Sequence, residues 1–111
     1  MKADLLYEEF APAGVPATIG LAVGGPLLLE PGGALALINR AADEGVPILR
    51  VDGVCVAAGG TESSPEHVAD FSAAVAEGHG CWADAEAFVS ARRGRGLVFA
   101  IALGDDPVEA V

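Results

Sequence analysis

Hydrophobic positions change period several times along this chain, and each change marks an element. Leu35, Ile38 and Ala42 recur at helical spacing, Leu37 and Ala41 widen the stripe, and Asn39, Arg40 and Asp43 fall elsewhere. The spacing predicts a helix from Gly33 to Glu44, ended by Gly45 and kept from continuing by Pro47. Ile48 to Ala57 is rich in β-branched residues and bounded by Gly59-Gly60, the pattern of a strand. LVFAIAL, Leu97 to Leu103, is the most strand-like segment. Ala17 to Val23 and Leu27 to Leu29 read as two further extended pieces joined at Gly24-Gly25-Pro26. ADLLYEEF, residues 3–10, fits either a short strand or a single helical turn.

Two more helices are expected. Ser64 suits an N-cap and Pro65 a first helical position, which starts a helix with Val68, Phe71 and Val75 as its stripe, stopped by Gly78-His79-Gly80. Trp82 to Arg93 gives another, packing through Trp82, Ala85, Phe88 and Val89. The resulting order, roughly β-β-α-β-α-α-β, implies an α+β domain or a small three-layer α/β one, with one mixed sheet packed by three helices. Its 111 residues fit a single domain with one core.

Within EGVPILRVDGVCV, Glu44 to Val56, period-two alternation puts Ile48, Arg50, Asp52, Val54 and Val56 on one face. Leu49, Val51, Gly53 and Cys55 take the other, which is small and apolar and should meet the helices. An isolated buried charge is costly, so the Arg50–Asp52 pair is expected at an exposed or interface position.

Composition narrows the classes. The chain is 52% apolar but only 5% aromatic, so its core should rest on small aliphatic side chains with Phe10, Phe71, Trp82, Phe88 and Phe99 as the large pieces. A net charge of −10, with only 6 Lys and Arg, excludes an extended phosphate-binding surface and disfavours nucleic acid and anionic membranes. No cleavable leader is visible in MKADLLYEEF, and Gly and Pro break each apolar run before membrane-spanning length. A cytoplasmic protein with Cys55 and Cys81 reduced is the expectation.

The candidate chemistry is sparse. Gly24-Gly25, Gly32-Gly33 and Gly59-Gly60 match neither a dinucleotide fingerprint nor a phosphate loop with its Lys, and read as turns. His67, His79 and Cys81, with Asp70 or Asp84, lack metal-ligand spacing, so no metal or other cofactor is expected. The acidic pairs sit in exposed-looking contexts, where carboxylates stay solvated. Ser63 and Ser64 lie in no nucleophile elbow, and no catalytic residue is assigned. Arg92, Arg93 and Arg95, the sole basic cluster, best fit a helix C-terminus. The candidate binding residues are Arg50, Asp52, Glu62, Glu66, Asp70 and His79.

A compact α/β domain, strongly acidic and without catalytic motifs, resembles the small immunity proteins that bacteria make against their own secreted toxins. The passage LINRAADEGVPILRVDG has the same general character. The resemblance implies a binding module whose acidic surface covers a basic partner protein, such as a toxin or nuclease. The alternative is a small-molecule-binding domain or small enzyme with a pocket near Arg50, Asp52, His79 and Cys81. A homodimer through an exposed edge strand, with Leu97 to Leu103 as the candidate, is also open.

Overall fold

The computed structural model describes residues 2–16, 26–57 and 60–104. The expected Ala17–Val23 strand and the glycines of its turn lie outside the described residues. In chain order the elements are α1 (Lys2–Phe10), a 3-10 turn (Ala11–Ala13), β1 (Val15–Pro16), β2 (Leu27–Leu29), α2 (Pro31–Glu44), β3 (Ile48–Ala57), β4 (Gly60–Asp70), α3 (Ser72–Ala76), α4 (Trp82–Ser90) and β5 (Leu97–Leu103). The fold is α+β. The strands form one sheet in the order β1-β2-β5-β3-β4.

Among the described residues every pairing is antiparallel, in place of the mixed sheet expected from the sequence. The strands flanking α2, β2 and β3, do run parallel to one another, but β5 lies between them and antiparallel to both. The last strand of the described chain is therefore central. It cannot be the exposed edge that would pair with a second copy, and among the described strands the two edges are β1 and β4. Centrality suits LVFAIAL, because both of its faces are apolar. Leu97, Phe99, Ile101 and Leu103 join the main core, and Val98 and Ala100 join a smaller cluster on the opposite face.

The best-read helix is α2. Pro31 occupies its first turn, and its buried stripe is Ala34, Leu37, Ile38 and Ala41, which leaves Ala42 exposed and Leu35 half-buried. Gly45 takes the left-handed conformation at φ 72°, and the Val46 amide donates to the Ala41 carbonyl at 2.9 Å, closing the helix as expected. The N-terminal octapeptide lies within α1, which buries Ala3 and Leu6 against the core. Tyr7 completes the junction. Its hydroxyl donates to the Ile101 carbonyl at 2.9 Å and accepts from the Leu103 amide at 2.8 Å. β2 pairs with β5 only at Ala100 and Phe99, so the tyrosine meets backbone groups of β5 beyond the reach of that short strand.

The helix expected to start at Pro65 is not there. Ser64, Pro65 and Glu66 lie in β4, and only Ser72–Ala76 is helical. Between the pairs Asp52↔Val68 and Val54↔Ser63, β3 advances two positions while β4 advances five, so β4 bulges at residues 64–67. Proline has no N–H for a ladder and is tolerated at a bulge on an edge strand. The Ser-Pro signal is genuine, but it marks an interruption in pairing rather than a helix start. α4 is also shorter than expected, ending at Ser90 with residues 91–94 in turns.

A second bulge changes the faces of β3. The register with β5 shifts between Ile48 and Arg50, so Ile48 joins Val51 in the main core instead of sharing a face with Arg50. That core unites α1, α2 and α4 with β2, β3 and β5. Phe99 is its only fully buried aromatic, while Phe10, Phe71, Trp82 and Phe88 are half-buried at its margin.

Candidate functional site

The six candidate binding residues do not form one site, although Arg50, Asp52 and Asp70 are neighbours in the sheet. Arg50 and Asp52 do pair: the guanidinium donates from Nη2 at 2.8 Å and from Nε at 3.0 Å to Asp52 Oδ1. The environment differs from expectation. Asp52 is fully buried, whereas the Arg50 side chain is 37% exposed. Asp52 stands on the face shared by Val54 and Ala100, opposite Ala100 of β5 and Val68 of β4. A carboxylate in that position needs its hydrogen bonds, and no buried side-chain nitrogen or oxygen among the described residues lacks one. Asp52 is thus a structural anion, with Arg50 as its link to solvent.

Asp70 pairs in register with Arg50 but does different work. Its Oδ1 accepts the Ser72 hydroxyl at 2.6 Å and the Ser72 amide at 2.9 Å, bracing the chain where β4 gives way to α3. These bonds, the hydroxyl's first, hold the Asp70 carboxyl below its ordinary pKa, with a smaller contribution from the charge of Arg50. Glu62 lies opposite Cys55 in the ladder and Glu66 within the bulge of β4; their side chains lie outside the described residues.

His79 is exposed and borders a groove of about 410 Å³ lined also by Ala74, Gly80, Cys81, Trp82, Ala83 and Asp84. Neither Arg50 nor Asp52 lines it, so the residues named for a pocket do not share one. The groove is built by the entry into α4. Trp82 donates its indole N–H to the Val46 carbonyl at 2.7 Å, and its ring lies so close to Gly80 that any Cβ there would collide with it. Cys81 is buried at φ 63°, the one non-glycine at positive φ among the described residues. Burial pushes its thiol pKa up, and the charge of Asp84 pushes in the same direction. Such a thiol stays protonated and is a weak nucleophile near neutrality. Cys55, read as buried, is exposed instead.

The two features that the sequence undervalued are charged. On α1, Asp4, Glu8 and Glu9 face outward around Leu5, which is 63% exposed. Glu9 accepts from Arg40 at 3.2 Å, and Arg40 also binds Glu44 at 2.6 Å, tying α1 to the end of α2. The Glu44 hydrogen bond chiefly, then the charge of Glu9, holds the Arg40 pKa above its ordinary value. No ion pair reaches Asp4 or Glu8 among the described residues. Helical periodicity in ADLLYEEF could have placed Leu5 outside, had the segment been long enough to distinguish helix from strand.

The second feature is the basic cluster. Arg92 stacks on the Phe88 ring 3.8 Å from its centroid, donates to the Phe88 carbonyl at 3.2 Å, and donates from Nε to His67 Nδ1 at 3.3 Å. His67 is therefore a structural partner of Arg92 in the turn after α4, and it does not line the groove of His79 and Cys81. No group of three or more His, Cys, Asp or Glu side chains converges among the described residues, and no described helix is long and apolar enough to cross a membrane. No protein-family model matches the chain, and no curated protein matches it.

Proposed function

We propose that this protein is an acidic protein-binding module, an inhibitor of the immunity type that covers a basic partner such as a toxin or nuclease. The outer face of α1 carries the reading: Leu5 is an exposed apolar side chain flanked by Asp4 and Glu8, whose carboxylates have no ion pair among the described residues. An apolar contact ringed by unpaired charge is the arrangement in which packing provides affinity and electrostatics provide rate and specificity. The excess of 16 acidic over 6 basic residues extends that field well beyond one helix.

The test is a pull-down at low ionic strength, repeated in roughly 0.5 M salt, where the Debye length falls to about 4 Å. The wild type is expected to retain a basic protein at low salt and release most of it at high salt. The Asp4→Lys/Glu8→Lys variant should lose retention even at low salt, while His79→Ala should keep it. A small molecule that copurifies and raises the melting temperature, with no protein retained, would overturn the reading in favour of a ligand-binding domain.

A further inference from the structure

The end of α4 holds more positive charge than the helix uses. A cation near a helix C-terminus complements the dipole and binds a terminal carbonyl, and Arg92 already does this through its bond to the Phe88 carbonyl. The other arginines outside the cluster are also occupied, Arg40 by Glu9 and Glu44 and Arg50 by Asp52. Arg93 and Arg95 are exposed, and neither side chain makes a hydrogen bond or ion pair among the described residues. This is a notable vacancy in a chain with 16 acids.

The turn that carries them is uncovered. Gly94 and Gly96 adopt φ 81° and 73°, and a Cβ at either would meet nothing within 4 Å. Two exposed guanidinium groups two positions apart, on the same turn as a third held by Phe88 and His67, concentrate positive charge where an anion can approach from solvent. Arginine is suited to this, since its planar fork matches the oxygens of phosphate. The net charge of −10 limits the size of that anion. An extended polyanion would run over the acidic surface and be repelled, whereas a compact one meets only the local positive field.

We propose that the Arg93–Gly96 turn docks a small phosphoanion in free solution, gripped by the guanidinium groups of Arg93 and Arg95. Inorganic pyrophosphate is the probe. Amide chemical shifts are followed at constant ionic strength for the wild type, Arg93→Ala/Arg95→Ala and Arg93→Lys/Arg95→Lys. Saturable shifts confined to the turn are expected, with half-saturation on the order of 1 mM. The alanine variant should bind at least tenfold more weakly, and the lysine variant should fall between, because it keeps the charge but loses the fork. Asp4→Asn/Glu8→Asn, on a different helix, should bind as the wild type does. Circular dichroism reports whether each variant is folded. Three results would overturn the proposal: no saturable shift in the turn, equal binding by the folded alanine variant, or tighter binding of a single-stranded oligonucleotide than of pyrophosphate. The α1 reading does not enter this experiment, so either can fail alone.

Discussion

Val51 and Asp52 are neighbours in β3, both fully buried, and on opposite faces of one sheet. Val51 enters a core of aliphatic side chains from three helices and three strands. Asp52 stands beside Val54 and Ala100, in a face whose small apolar cluster contains strand residues only. The first face is stabilised by area removed from water, which is non-directional. The second contains a charge that is tolerable only where its hydrogen bonds are met. Burial alone therefore does not reveal what a position needs. On one face the requirement is volume, and on the other it is a partner.

Substitutions that separate volume from pairing test this contrast. Phe99→Ala should have the largest effect, about 3–5 kcal/mol lost, because the ring is fully buried and the cavity it leaves adds to the lost transfer energy. A urea titration would read it, and a loss under about 1 kcal/mol would mean the core collapses around the gap. Next comes Arg50→Met, expected to cost about 3 kcal/mol because it takes the guanidinium away from a buried carboxylate. Asp52→Val should cost less, since the Arg50 guanidinium it leaves behind is half-exposed and can be solvated by water. If Asp52→Val proves the more damaging of the two, the asymmetry argued for the pair is wrong.

Tyr7→Phe probes pairing on the aliphatic side. It removes one hydroxyl that serves two backbone groups of β5, and a loss of about 1–3 kcal/mol is expected by thermal or urea unfolding. The smallest effect belongs to the rim. Ser72→Ala deletes the main cause of the depressed Asp70 pKa, so that value should climb toward the ordinary carboxylate range in an NMR titration. The folded-state value lies below the unfolded one, so the stabilisation is present above about pH 4 and is lost as pH falls through the depressed value. In the variant that acid-side loss should shrink.

The same two faces show how far a linear reading carries. α2 was legible because a helix buries residues three and four apart and ends at a glycine, all within 14 positions. β3 and β5 were legible from β-branched and apolar runs, with the bounds observed. Asp52 was misjudged because its partner could be read two residues away, while its burial depends on strands distant in sequence. For the same reason, nothing local distinguishes the Ser64-Pro65 of a bulge from that of a helix cap. Of the candidate residues, the Arg50–Asp52 pairing was visible as a period of two. The placing of Asp70 opposite Arg50, and of His79 in another part of the molecule, was not.

What the sequence determined by itself is local: the course of α2 and its glycine end, the β3 and β5 strands, and the strong negative charge. Each follows from the side chains of a short segment and from the conformations its own backbone allows. Tertiary structure alone decided that β5 is central, that Ile48 turns to the helices through a bulge, that Asp52 is buried, and that no carboxylate among the described residues pairs with Arg93 or Arg95. Those outcomes depend on register and on which distant groups meet, and both are settled by the packing of the whole chain.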